Sequence, residues 1–165
     1  MSGKSYASIA MESTVSGDVL DLKVKVMMGY SYKSMKLAVY MLEDGLVYDQ
    51  RNFTSYYGGA DPIRDFVHDD VLRRSLTDVF GDDIPQDQVG HNKTFTRDFQ
   101  YAIPPSYDKN KVKLVAFVTT GSERDIIQVY ANGGVATLVC IVDFLYPSPF
   151  NIYLFLASVA AAMSD

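Results

Sequence analysis

The stretch Lys36-Leu-Ala-Val-Tyr-Met-Leu-Glu-Asp-Gly-Leu-Val-Tyr-Asp-Gln50 decides the fold class. It reads as two β-strands hinged at Asp44-Gly45. β-Branched and aromatic residues suit a pleated, half-buried surface, and both residues of an Asp-Gly loop tolerate positive φ. A type I′ hairpin here places Glu43 opposite Leu46, Leu42 opposite Val47 and Met41 opposite Tyr48. Leu37, Val39, Met41, Tyr48 and Gln50 then share one face, with Ala38, Tyr40, Leu42, Val47 and Asp49 on the other. That register also removes a tempting reading of Glu43 and Asp44 as paired catalytic acids. Neighbours in a strand point to opposite faces, and the turn already uses the Asp.

Outward from this stretch the pattern stays β. Residues 5–13 alternate loosely, with Ala7, Ile9 and Met11 on one side, and Ser16-Gly17-Asp18 marks a turn. Leu20, Leu22, Val24, Val26 and Met28 then alternate with Asp21, Lys23, Lys25 and Met27, the pattern of a strand with one buried and one wet face. On the C-terminal side, residues 93–101 alternate and stop at Pro104-Pro105. Residues 111–120 set Val112, Leu114, Ala116 and Val118 against Lys113, Val115, Phe117 and Thr119, which predicts a central strand. Residues 126–131 follow a turn and close the set. Seven or eight short strands between turn signals predict an all-β fold, an antiparallel β-sandwich over residues 1–132.

Two segments read less plainly. Residues 61–81 open on Asp61-Pro62, which resembles a helix start, yet Phe66, His68, Leu72, Leu76 and Phe80 fall on one side of a strand with Val67, Val71 and Val79 on the other. A strand with an irregular entry is the expectation. Residues 133–165 form an apolar C-terminal strand and tail in which Asp143 and Asp165 are the only charges. The run from 150 to 163 is shorter than the roughly 20 residues needed to span a bilayer. A segment buried against the sandwich, a membrane- or partner-seeking tail and a replaced native end are the three readings, in that order.

Composition excludes several functions. A formal net charge of −5 without a basic stripe argues against nucleic acid. Cys140 is the single cysteine, so neither an internal disulfide, a Cys-x-x-Cys redox pair nor a cysteine zinc cluster is available. Eight Asp lie between positions 61 and 87, but Asp78-Val-Phe-Gly-Asp-Asp83 lacks the ligand order of a calcium loop, so a solvated acidic edge is expected instead. His68 and His91 have no partners at metal or triad spacing. No catalytic, metal or cofactor residue is therefore assigned, and no enzyme activity is expected. The remaining candidate is the loop over residues 51–59, where Phe53, Tyr56 and Tyr57 beside Gly58-Gly59 offer contact area for a protein or a glycan. The plainer reading, that these rings fold back on the sandwich edge, is the first expectation.

Leu37-Ala-Val-Tyr-Met-Leu-Glu-Asp-Gly45 with Gln50, Val67-His-Asp-Asp-Val-Leu-Arg-Arg74 with Phe80-Gly81 and Ile84-Pro85, and Lys113-Leu-Val-Ala-Phe-Val118 with Ile127-Gln-Val-Tyr130 resemble, in order, the 28-kilodalton outer-membrane protein family of anaerobic Gram-negative bacteria. The resemblance covers about residues 8 to 131. It implies a β-sandwich module from the C-terminal part of an exported, usually lipid-anchored surface protein with a role in adhesion or receptor-like binding and no established catalysis. Complete members carry a thioredoxin-like part upstream. That part, a signal peptide and a lipobox cysteine are not found in this chain, so membrane association is expected through an anchor outside it. An accessory domain that positions the thioredoxin-like part is the alternative function, and it predicts a flat apolar patch near residues 5–11. His68 and Arg73 match the family's His…Leu-Arg pattern without an implied role.

Overall fold

The computed structural model describes residues 7–120, 126–133 and 140–141. Among these residues the chain is all-β, with antiparallel strands and only two short 3-10 turns, Tyr57–Gly59 and Gln86–Gln88. The first sheet contains β1 (Ala7–Ser16), β2 (Val19–Met28), β8 (Thr94–Ala102) and the two-residue β11 (Cys140–Ile141), in the order β11-β1-β2-β8. The second runs β10-β9-β3-β6, from β10 (Ile126–Gly133), β9 (Val112–Thr120), β3 (Met35–Glu43) and β6 (Val71–Ser75), with β7 (Asp82–Asp83) also paired to β3. A separate two-stranded ribbon joins β4 (Leu46–Gln50) to β5 (Ile63–His68). Among the described residues there are eleven strands against the seven or eight expected over residues 1–132, because residues 61–83 divide into β5, β6 and β7 and because β11 falls in the C-terminal strand expected separately. The apolar run at 150–163 lies outside the described residues.

The alternating residues build the core as their periodicity predicts. Ala7, Ile9 and Met11 of β1, the alternating Leu20, Leu22, Val24, Val26 and Met28 of β2, and Leu37, Val39, Met41, Val112, Leu114, Ala116 and Val118 of the facing sheet are at most 2 % exposed. Full burial of a Val, Leu, Ile or Met side chain contributes about 1.5–3 kcal/mol, so this interface is the main source of stability. Gly17 at φ 61 closes the β1–β2 hairpin, with Ser16 opposite Val19. The outward positions of β1 are Ser8, Ala10 and Glu12, so the apolar patch expected near residues 5–11 is not formed by this strand. β3 is buried on both faces: Ala38, Tyr40 and Leu42 pack outside the sandwich against Val115 and Phe117, with the Tyr40 and Phe117 rings edge-to-face at 5.1 Å.

The hairpin expected at Asp44-Gly45 does not form. β3 pairs with β9 on one side and with β6 and β7 on the other, and β4 pairs with β5, so the contacts Glu43–Leu46, Leu42–Val47 and Met41–Tyr48 are absent. Gly45 alone takes positive φ, at 70°. The register across the break is continuous: Glu43 faces Val71, and three residues further along each strand Leu46 faces His68. β3–β4 and β5–β6 are therefore one long hairpin whose tip is the loop at 51–62. The physical reason is partner choice. Folding β4 back on β3 would displace β9 or β6 from a strand whose two faces are both apolar, whereas β4 carries Tyr48, Asp49 and Gln50 and tolerates solvent.

Residues 61–81 follow the strand expectation with two breaks, at Asp69-Asp70 and at 76–81. Their acids serve as local hydrogen-bond acceptors, which a merely solvated edge does not require. Asp78 Oδ1 accepts the Phe80 N–H at 2.9 Å and Asp82 Oδ1 accepts the Asp78 N–H at 2.9 Å, which shapes the turn before Gly81. Asp83 pairs with Lys36 at 2.9 Å, and Asp82 pairs with Arg97 of β8, linking the two sheets.

Candidate functional site

The β4–β5 ribbon is an arm that carries apolar residues on both faces in solvent. Val47 and Val67 pair on one face at 52 % and 54 % exposure. The other face carries Tyr48, Phe66 and His68, with Phe66 and His68 ring centres 4.9 Å apart and Tyr48 6.5 Å from His68. Tyr57 extends this row from the tip, edge-to-face with Phe66 at 6.0 Å. His68 thus sits in an aromatic row, while His91 holds a loop through Gly29 O at 2.9 Å. Among the described residues no cluster of three or more His, Cys, Asp or Glu has the arrangement of a metal site.

The tip is built by Asn52. Its amide nitrogen donates to Tyr56 O at 2.8 Å and Ala60 O at 3.0 Å, while its side-chain oxygen accepts from Thr54 N and Thr54 Oγ1. The Asn52 N–H donates to Asp61 Oδ1, and the other Asp61 oxygen pairs with Arg51 at 3.0 Å. Tyr57, Gly58 and Gly59 take three successive positive φ values, which turns the chain so that polar atoms close on one another and rings stand outside. Phe53 is 88 %, Tyr56 73 % and Tyr57 65 % exposed. These three rings point to solvent and do not fold back on the sandwich edge.

The base of the arm is a lock. Where β3 leads into β4 the backbone ladder stops, and side chains replace it: Asp44 Oδ1 accepts the Asp70 N–H and Asp69 Oδ1 accepts the Gly45 N–H, each at 2.9 Å. Lys113 of β9 bridges Asp44 and Asp70. Burial works to raise the Asp44 pKa, but the hydrogen bonds from Lys113 and Asp70 and the nearby lysine charges outweigh it and hold the carboxyl below its usual range. Burial likewise opposes the charge on Lys113, yet its two carboxylate partners push its pKa up. Beside this lock Glu43, 2 % exposed, faces Arg73 Nε at 3.3 Å and accepts the Asp108 N–H at 2.8 Å. The Arg73 guanidinium lies 4.2 Å from the Tyr107 ring centre, and the Tyr107 hydroxyl donates to Arg73 O. Elsewhere, an open hollow of about 310 Å³ on the outer face of the first sheet is lined by Glu12, Asp21, Lys23 and Asp98 and holds the loose Lys23–Asp98 pair at 3.9 Å.

Sequence reasoning singled out Phe53, Tyr56 and Tyr57 and passed over Tyr48, Phe66, Val47 and Val67, because the expected hairpin placed β4 against β3. The available signal was Val47-Tyr48 pairing in alternation with Phe66-Val67 across a loop whose glycines are at 58 and 59. The segments that carried the family resemblance now have physical roles. Glu43, Asp44 and Gly45 meet Asp69, Asp70 and Arg73 at the base of the arm, and Gly81 passes within 3.0 Å of the Leu37 backbone where a Cβ would sit.

A two-sheet β-sandwich that holds an exposed aromatic arm on a polar lock defines an all-β scaffold with a displayed arm. The family described as outer membrane protein Omp28 matches residues 1–133, and the chain belongs to it. Membership associates the chain with the bacterial outer membrane or cell surface. Among solved structures, HBP35 of Porphyromonas gingivalis aligns at a TM-score of 0.59 and 17 % identity, over 88 % of this chain and 46 % of that one. This chain therefore spans about half the length of HBP35, and the likeness is one of fold. A domain of the outer membrane lipoprotein Omp28 from Porphyromonas gingivalis aligns at a TM-score of 0.49 and 16 % identity, over 77 % of this chain and 86 % of that one. No curated protein sequence matches.

Proposed function

We propose that this chain is a non-enzymatic binding or adhesion module of a surface protein, in which residues 1–132 are the scaffold and the arm makes the contacts. The partner is a protein or a glycan on a host or neighbouring cell, and membrane association is through a lipid anchor. The observation that carries this reading is the display of Phe53, Tyr56 and Tyr57, held outward by the Asn52 network on a loop that makes no use of them for its own core. Large exposed rings on a braced loop lose little conformational freedom on binding, which is the economy of an anchor residue. The test is a glycan and host-protein binding array probed with the wild type and with Phe53→Ala, Tyr56→Ala and Tyr57→Ala. Binding that falls in these variants supports the arm as the contact surface. Binding unchanged in all three removes the tip from the site.

A further inference from the structure

We infer that the arm takes an extended protein segment as a third strand along the free edge of β4, and that this segment alternates apolar residues with Lys or Arg. The inference rests on the reading of the arm as the binding element and names its partner class. A ribbon of two strands is marginally stable alone, and a third strand or a covering layer is the ordinary remedy. Among the described residues β4 and β5 form such a ribbon. The β9 neighbour of β3 stops at Val112, opposite Glu43, so among the described residues the same edge continued through Leu46–Gln50 has no strand beside it. The opposite edge is less suited to pairing, because Asp65 and Asp70 interrupt β5 and its continuation with φ of 51° and 57°. Strand addition supplies backbone hydrogen bonds, while alternate side chains of the incoming segment reach the two faces of the ribbon. Here one face offers Tyr48, Phe66 and His68 and the other Val47 and Val67.

Charge and hydrogen bonding argue against the other occupants. Residues 46–69 contain Asp49, Asp61, Asp65 and Asp69 against Arg51 and Arg64, with no Lys, so the arm is acidic and complements a basic segment. The same sign works against an anionic lipid surface and against the arm of a second copy. A glycan needs unsatisfied polar side chains beside the rings. At the tip Asn52, Thr54 and Asp61 are satisfied by one another and by the loop backbone, and Arg51 is paired with Asp61.

The experiment selects a phage-displayed random peptide library on the full chain and measures the enriched peptides as synthetic probes against wild type, Tyr48→Ser and Val47→Ser. Both variants change exposed side chains, and their thermal unfolding is followed in parallel. The expected peptides alternate apolar with basic residues. Their affinity drops about tenfold on Tyr48→Ser and on methylation of alternate backbone nitrogens in the peptide. Peptides indifferent to both changes, or a concentration-dependent dimer that Tyr48→Ser abolishes, would overturn the inference. Glycan binding that depends on Phe53, Tyr56 and Tyr57, with no peptide enriched, overturns this partner class and leaves the binding function standing. The absence of any arm-dependent ligand on both glycan and peptide probes overturns both.

Discussion

β3 and β4 follow one another along a single strand line, separated by Asp44-Gly45, and each carries a Val-Tyr pair, Val39-Tyr40 and Val47-Tyr48. Their environments are opposite. Tyr40 and Leu42 are at most 2 % exposed, whereas Val47 and Tyr48 are at least half exposed. The shared Val-Tyr pair therefore does not decide its own burial; the number of available neighbours does. β3 has β9 on one side, β6 and β7 on the other, and the first sheet beneath it. β4 has β5 alone. The boundary is marked by the ion pairs of Glu43 with Arg73 and Asp44 with Lys113, and Asp44 and Asp69 accept the Asp70 and Gly45 N–H groups where the ladder stops.

The largest expected effect breaks this boundary from the buried side. Arg73→Met leaves the Glu43 carboxylate buried without its cation, and removal of one partner of a buried pair costs about 3–5 kcal/mol. Denaturant unfolding should show that loss. The double variant Glu43→Gln/Arg73→Met should recover a large part of it, since the uncompensated charge is gone. A single variant as stable as wild type would mean that Glu43 is hydrated in solution and that the boundary lies deeper in β3.

Gly81→Ala comes next. Gly81 sits at φ 85, and an added Cβ would lie 3.0 Å from both C and O of Leu37, so both strain and overlap press on the start of β3. A cost of about 2 kcal/mol is expected from the backbone conformation alone. Thermal unfolding checks it, with Gly58→Ala as the contrast. Gly58 also has positive φ, but nothing lies within 4 Å of its added Cβ and it belongs to the arm. A larger global loss at Gly58 than at Gly81 would reverse the assignment of core and arm.

Tyr40→Phe tests the outer face of β3. The hydroxyl donates to the Val79 carbonyl, and its loss should cost about 1 kcal/mol near neutral pH. Burial, reinforced by the charge of Asp78, pushes the Tyr40 pKa up to about 12. An unfolded Tyr titrates near about 10. The stability that this shift contributes is present below the unfolded value and is lost as pH rises toward the folded one. Wild type should therefore lose more stability than Tyr40→Phe between those two values, and parallel alkaline limbs would show Tyr40 to be hydrated.

The alternation of β1, β2, β8 and β9 was legible because each strand buries one face, or both, against sheets that the same pattern predicts. The loop at 51–59 was legible from Gly58-Gly59, but the outward display of its rings was not, because it depends on the hydrogen bonds of Asn52 with Tyr56, Ala60 and Asp61 that hold the tip. The Asp44-Gly45 hairpin was misread for a physical reason. Asp-Gly favours any abrupt change of strand direction or pairing, and its local chemistry does not distinguish a chain that folds back from one that changes partners. The distinguishing residues, Asp69-Asp70, lie more than twenty positions away and read as part of an acidic run. Glu43 and Arg73 were visible as family-like letters, yet their role depended on a register between β3 and β6 that no local period carries.

A smaller effect is expected at the lock. Asp44→Asn removes the charge that Lys113 meets but keeps an acceptor for the Asp70 N–H, so global stability should change by less than about 1 kcal/mol. Amide exchange at Asp70 and Gly45 should nevertheless quicken, because the arm's base loosens before the sandwich does. The sign in acid follows from the lowered pKa of Asp44. Its contribution is present above the unfolded carboxyl value and is lost as pH falls through the lower folded one. Wild type should thus lose protection at the arm's base in acid, while Asp44→Asn shows little further change.

The smallest effect sharpens the comparison most. Tyr48→Ser removes a ring that is 64 % exposed and whose recorded ring contact is with His68 at 6.5 Å, so unfolding free energy should stay within about 0.5 kcal/mol of wild type. The same side chain eight residues earlier, at Tyr40, is fully buried and hydrogen-bonded. A Tyr48→Ser variant that melts like wild type shows that β4 gives up its ring without loss to the fold, which is the condition for a surface kept for contact with something else. A variant destabilised by several kcal/mol would instead place Tyr48 within the packed body of the protein, and the arm would then be an extension of the core.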